Sequence, residues 1–211
     1  MRRIRGIDYI NRILNMGFHD FGLKLLSLYN RWKTSLSIQD FMEFSDYISS
    51  LLGNSMFKAN FSPQMIGQFR AYSFEEYIYD LIASRMDLPS PMYNLLWNEK
   101  IPLWSECREV YESSFDIIIL KRRDNKPKVV IEAKIDVDSP RLRIVLFNSL
   151  LLSKLYDDLY CYLVFINWNA SSLLRSMALK FVDGVFNVSR HGQIEAFLNR
   201  LKNDLYPNIF D

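Results

Sequence analysis

Cysteine and histidine are nearly missing from this chain, with two of each in 211 residues. Cys107 and Cys161 cannot by themselves furnish a tetrahedral thiolate metal site or a disulfide scaffold, and a single bridge between them is all that stays open. So few thiols fit a reducing, cytoplasmic setting. His19 and His191 stand alone, with no nucleophile at an interpretable spacing, which sets aside triad-type hydrolysis. Glycine and proline are scarce too, at seven each. No phosphate-binding glycine loop is among them, so neither a nucleotide-driven motor nor a nucleotide cofactor is expected. Arg2, Arg3 and Arg5 precede only short apolar runs that Asp8 interrupts, so neither a signal peptide nor a membrane span is expected. The net charge is only +2, and contact with nucleic acid must therefore rest on local clusters of charge.

What is present is a chain with 49% hydrophobic residues, enough to bury a core of domain size. Residues 1–62 read as a helical appendage and residues 63–211 as an α/β core. In the appendage Ile7, Ile10, Ile13 and Leu14 recur at helical spacing, as do Phe21, Leu25, Leu28 and Tyr29, with breaks near Gly17 and Gly22. Ser37 followed by Asp40 predicts a capped start for a helix carrying Phe41, Phe44, Tyr47, Ile48, Leu51 and Leu52, with Gly53 at its end. Arg2, Arg3, Arg5 and Arg12 suit phosphate contact, although a solvated helix face is the simpler reading.

The core opens with a helix predicted over residues 73–86. Ser73 and Glu76 have capping-box spacing, and Phe74, Tyr77, Ile78, Leu81 and Ile82 form one apolar stripe. Glu75 borders that stripe and is the candidate inward-facing acid; a first-turn acid favoured by the helix dipole is the competing reading. Residues 97–111 read as an irregular strand or hairpin, 141–156 as a helix and 160–166 as a buried strand. A helix over 171–181, a short strand over 185–188 and a closing helix over 193–205 follow. This order predicts an α/β fold: a mixed central sheet of about four to five strands flanked by helices on both faces.

Residues 114–136, SFDIIILKRRDNKPKVVIEAKID, concentrate the chemistry. Two apolar strands flank the turn formers Asp124, Asn125 and Pro127. Antiparallel pairing about that turn sets Asp116 opposite residues 132–134, and Glu132 and Lys134, two apart, share a face. Ionised groups at the end of a buried strand are costly unless paired or bound to a metal. Asp124-Asn125-Lys126 repeats the acid-x-lysine pattern, but inside the turn and without an apolar strand. Glu132-Ala133-Lys134 has the strand Val129–Val130–Ile131 before it, and competes only with an ordinary ion pair at a strand end. Lys121, Arg122, Arg123, Lys126 and Lys128 cluster on the hairpin, and Arg141 and Arg143 begin the next helix. They read as a basic rim around an acidic pocket, suited to a nucleic-acid backbone, or as a solvated turn.

Glu75 on a helix, Asp116 opening one strand and Glu132-Ala133-Lys134 closing its partner resemble the PD-(D/E)xK nuclease superfamily, which includes restriction endonucleases and archaeal Holliday-junction resolvases. The resemblance spans about residues 70 to 170; Phe115 stands where the superfamily's name has proline, and the first 60 residues lie outside it. The small, aromatic-rich, glycine-poor chain is also similar to archaeal-virus proteins of this class, for which the compartment is the host cytoplasm. What the resemblance implies is a restriction-endonuclease-like core and a Mg²⁺-dependent DNA endonuclease acting on branched or duplex DNA, with Mn²⁺ able to substitute. Asp116 and Glu132 would be metal ligands, with the Ala133 carbonyl a third. Lys134 would position or deprotonate the attacking water, Glu75 would add an outer or second-metal contact, and Asn148 would orient a water or phosphate. A homodimer is implied where both strands are cut, since one site cuts one strand. The absent cysteine cluster sets aside the iron–sulfur branch of the superfamily. A DNA-binding or assembly protein that keeps the fold without catalysis is the alternative.

Overall fold

Aromatic side chains at helical spacing decide the architecture of the N-terminal part. The computed structural model describes residues 4–107 and 109–207, and the chain divides into two units, Met1–Leu81 and Ile82–Asp211. The division falls inside a helix, whereas the sequence pattern suggests residues 62/63. Arg2 and Arg3, with their suggested phosphate contacts, lie outside the described residues.

The first unit holds α1 (Gly6–Asn15), α2 (His19–Ser35), α3 (Ile38–Ser50), a 3₁₀ turn at Leu51–Gly53, α4 (Ser55–Asn60) and most of α5 (Pro63–Arg85). Its core is a lattice of rings. Phe41 stacks on Tyr77 with centroids 4.9 Å apart, Tyr29 meets Trp32 edge-on at 5.1 Å, and Tyr9 stacks on Phe69 at 4.9 Å. Such pairs add stabilisation beyond the area they bury. Because Phe69, Phe74 and Tyr77 sit on α5, that helix belongs to the helical unit along most of its length.

Ser73 and Glu76 do not form the predicted helix start. α5 begins at Pro63, whose missing N–H costs nothing in a first turn, and Ser62 caps it by accepting from the Met65 N–H at 3.2 Å. Ser73 is therefore a mid-helix residue, buried, with its hydroxyl unpartnered among the described residues. Glu76 is 1% exposed and accepts from the Gly6 N–H at 2.9 Å, the Tyr29 hydroxyl at 2.8 Å and the Lys33 ammonium at 3.1 Å. Lys33 also bonds Asp80. Gly6 is needed for this approach, since a Cβ there would lie 2.9 Å from both Ser73 Oγ and the Tyr29 ring. Ser37 does occupy the N-cap of α3 but makes no capping bond; Asp40 instead accepts from Ser35 Oγ at 2.6 Å.

The second unit is built on a five-stranded sheet in the order β1 (Tyr93–Glu106), β2 (Glu109–Lys121), β3 (Pro127–Val137), β4 (Tyr160–Trp168), β5 (Gly184–Asn187). The first three strands are antiparallel, and β3, β4 and β5 are parallel. This is the mixed α/β sheet that the sequence order predicts. α6 (Ser139–Leu155) links β3 to β4, α7 (Ser172–Phe181) links β4 to β5, and α8 (Gln193–Leu205) follows. Asp138 caps α6 by accepting from the Arg141 N–H at 2.9 Å. Leu142, Val145, Leu146 and Leu152 then pack with Ile118, Val130, Leu163 and Phe165 of the sheet. Residues 97–111, read as an irregular strand or hairpin, are the far half of a long β1–β2 hairpin. Pro102 is tolerated because β1 is an edge strand, next to a register shift between Pro102 and Trp104. A second shift interrupts β2–β3 between Ile119 and Leu120, where Lys128 is the extra residue of a bulge. No helix among the described residues is long and apolar enough to cross a membrane.

Replacing Glu76 leaves a lysine, a phenol and an amide without their shared acceptor. Glu76→Ala is expected to destabilise the first unit by about 3–5 kcal/mol in urea unfolding; a loss of only about 1 kcal/mol would be that of a helix cap.

Candidate active site

The β2–β3 ladder runs to the pair Ile117–Ile131, and the next step faces Asp116 with Glu132. Side-chain bonding takes over there. Asp116 Oδ2 accepts the Ala133 N–H at 2.8 Å. The Lys134 ammonium lies 2.5 Å from Asp116 Oδ2 and 2.6 Å from Glu132 Oε2. Glu132 and Lys134 follow Val130 on one face of β3, the face that α6 covers. The three side chains are 13%, 10% and 23% exposed for Asp116, Glu132 and Lys134, so their charges are compensated mainly by one another.

Burial pushes the Glu132 carboxyl up to about 7; the Lys134 charge opposes this and the Asp116 charge adds to it. Burial works against the Lys134 ammonium as well, but the two carboxylates outweigh it and hold its pKa above the ordinary lysine range. A lysine so held donates hydrogen bonds rather than abstracting protons. Two of its three N–H donors are engaged by the carboxylates, leaving one to offer.

Among the described residues no three His, Cys, Asp or Glu side chains converge to hold a metal. Two carboxylates brought together by one ammonium, with a backbone carbonyl nearby in sequence, are a sparse, all-oxygen donor set. That set fits a hard dication that retains several waters and does not fit four-coordinate structural zinc.

Several solved structures resemble the chain. One is described as the native BbvCI A2B2 tetramer at low resolution, with 10% identity, a TM-score of 0.49, and coverage of 94% of this chain and 89% of that one. Another is the restriction endonuclease PspGI in complex with substrate DNA, with 15% identity, a TM-score of 0.47, and coverage of 83% and 75%. No family model and no curated protein matches the sequence.

The remaining predicted residues are distributed differently from their spacing. Glu75 is buried on α5 in the first unit, where its charge adds to the burial that raises the Tyr9 hydroxyl. Lys121, Arg122, Arg123, Lys126 and Lys128 do not rim the carboxylates. They occupy the turn end of the hairpin, and Lys121 is five strand positions from Asp116, about 17 Å at ~3.3 Å per residue. Closeness in sequence misled here because a hairpin's turn and its open end are opposite ends. Arg141 is at the carboxylate end, donating to the Asp136 carbonyl at 3.4 Å and pairing with Asp138 at 3.0 Å; Arg143 is exposed on α6. Asn148 is buried on α6, donating to Ser113 Oγ at 2.9 Å, and its carbonyl oxygen has no partner among the described residues.

Both cysteines are free, Cys107 exposed and Cys161 buried, and burial pushes the Cys161 thiol up to about 12. Two residues escaped the sequence reading. Asp136 continues the Glu132–Lys134 face and accepts from Asn167 Nδ2 at 3.0 Å, its partner in the β3–β4 register. Asp158, in the loop before β4, bonds both Lys121 and Lys128; a single loop acid carries no local signal of that pairing.

Glu132 keeps its proton to about pH 7 in the folded chain, against 4.5 for an ordinary glutamate. The folded state therefore binds the extra proton between those values, and this group's contribution to stability falls as pH rises through them. Glu132→Gln, which mimics the protonated form, is expected to gain in Tm relative to the parent between about pH 5 and pH 8 in chelator-containing buffer. A Tm difference constant over that range would contradict the assignment.

Proposed function

We propose that this chain is a metal-dependent nuclease that hydrolyses phosphodiester bonds of duplex or branched DNA. One observation carries the reading: a lysine ammonium 2.5 and 2.6 Å from two carboxylates where the β2–β3 ladder ends, within buried strands, an arrangement with more charge than a structural tie requires. Phosphodiester hydrolysis needs a positioned water, neutralisation of charge at phosphorus and help for the departing 3′ oxygen. Mg²⁺, or Mn²⁺ in its place, would supply charge and a more acidic water when bound, held by Asp116 and Glu132 with the Ala133 carbonyl.

The chain's own groups supply the rest. The Ala133 N–H fixes Asp116 in place. Lys134, kept cationic by its two neighbours, directs its remaining donor to the attacking water or a phosphoryl oxygen. Arg141 and Arg143, at the start of α6, are basic groups at this end of the sheet and suit contact with the DNA backbone. Since one site cuts one strand, two copies of the chain would act together on a duplex; light scattering with and without DNA is expected to give twice the monomer mass.

Cleavage of duplex, single-stranded and four-way-junction DNA with Mg²⁺ or Mn²⁺ tests the assignment. Glu132→Gln and Lys134→Ala are each expected to lose about a hundredfold or more in rate, and Asp116→Asn is expected to lose Mn²⁺ binding by calorimetry. Parent-like cutting by either of the first two variants would refute it. Salt-sensitive DNA binding with no cleavage under either metal would replace it with a binding or assembly role on the same fold. Glu75→Gln in the same panel tests the acid of the first unit.

A further inference from the structure

The turn end of the β2–β3 hairpin holds a separate cleft of about 630 Å³, within the range of small-molecule sites. Lys121, Arg122, Arg123 and Lys128 line it, together with Asp158. Three of these cations are held by bonds, while the Arg123 side chain, 91% exposed, reaches into water. Lys128 is 5% exposed, its ammonium bonded to Asp158 and 4.8 Å from the Tyr160 ring centroid. Lys121 reaches the other oxygen of the same carboxylate at 2.7 Å. Arg122 donates its Nε–H to the Ser90 carbonyl at 2.7 Å, and its backbone N–H bonds the Met92 carbonyl at 2.9 Å. Asp158 and Asp124, the latter 4.0 Å from Arg123, are two carboxylates against four cations, so the cleft carries a surplus of positive charge.

The rest of the wall is apolar. Met92, Tyr93 and Leu205 line it, and the Tyr93 ring is locked by its hydroxyl, which donates to the Leu205 carbonyl at 2.6 Å. A ligand that satisfies both walls has an anionic end with several acceptor oxygens and a flat, weakly polar end. Free phosphate would leave the apolar wall unused, and a neutral aromatic molecule would leave the cations unused.

We infer that this cleft binds a nucleoside phosphate, with the phosphate among Lys121, Arg122 and Arg123 and the base toward Met92 and Tyr93. The phosphate contacts are charge-assisted and come from side chains, so no glycine loop is required. The same chemistry is offered by a free mononucleotide and by a nucleotide within a nucleic-acid strand. No residue of the Asp116–Glu132–Lys134 group takes part, so the inference stands apart from the nuclease reading.

The test is calorimetric titration of the full chain in metal-free, chelator-containing buffer with AMP, adenosine, inorganic phosphate and a 5′-phosphorylated deoxyadenosine trinucleotide. AMP or the trinucleotide is expected to bind about tenfold or more tightly than adenosine or phosphate alone. Saturation by AMP assigns a free nucleotide as the source; saturation by the trinucleotide alone assigns a nucleic-acid strand. The double variant Lys121→Gln/Arg123→Gln is expected to weaken binding about tenfold or more. Asp158→Asn is expected to tighten it, because the competing carboxylate is gone; a merely structural salt-bridge cluster would not produce that gain. Arg123 and Asp158 are 91% and 58% exposed in their side chains, but Asp158 is the bonding partner of the buried Lys128, so circular dichroism and thermal melts of each variant check that the fold is kept before its affinity is compared. Glu132→Gln is expected to bind the same probe with parent affinity while losing cleavage. Equal affinity for AMP and adenosine, no saturation by either nucleotide probe, or unchanged or weaker binding in Asp158→Asn would overturn the inference.

Discussion

Two carboxylates are not tolerated side by side within a buried sheet unless something positive lies between them or a proton is taken up. In this chain that object is the Lys134 ammonium, and much of the second unit is arranged to make the contact possible. β2 and β3 must pair with Asp116 across from Glu132. β4 must lie parallel beside β3 so that Leu163 and Phe165, the register partners of Glu132 and Lys134, supply the dry floor. α6 must begin at once after β3, which its cap at Asp138 achieves, so that Leu142 and Val145 close the same face. Take away the lysine, and the fold would hold two like charges in a place that only a metal or protons could make tolerable.

Two of the buried glutamates, Glu76 and Glu132, show how surroundings decide what one residue type does. Glu76 has three fixed donors from two helices, α1 and α2, and so serves as a knot between helices. Glu132 has a single lysine, shared with Asp116, and burial raises its pKa. A carboxylate with an incomplete set of partners can still accept a proton or an additional cation, whereas one with a full set cannot. The helical unit thus uses Glu76 for cohesion, whereas Glu132 of the sheet unit has an incomplete set of partners.

Much of this was legible beforehand. The period-2 runs on either side of Asp124–Asn125 specified the hairpin, and the two-residue spacing of Glu132 and Lys134 specified a shared face, because both signals are local. The start of α5 was not legible: Ser73 and Glu76 imitate a capping box, and the real partners of Glu76, namely Gly6, Tyr29 and Lys33, are remote in sequence. The β1–β2 hairpin was obscured by Pro102 and by the exposed run Asn98, Glu99 and Lys100, which an edge strand accommodates at little cost. The basic residues lie at the turn end of their own hairpin, and Asp158, which bonds Lys121 and Lys128 there, is a single acid in a loop.

The bulge at Lys128 links these matters. An extra residue in one strand changes the phase of everything beyond it, since faces alternate at each step. By absorbing one residue just past the turn, the bulge brings Asp116 and Glu132 into phase at the open end of the hairpin, and it is also the point at which Lys128 is re-aimed toward Asp158 and Tyr160. The two ends of the ribbon are geared through a single irregularity. A lineage that lengthened or shortened the turn by one residue would have to restore the count at this position, or lose the acidic pair and the basic cleft together.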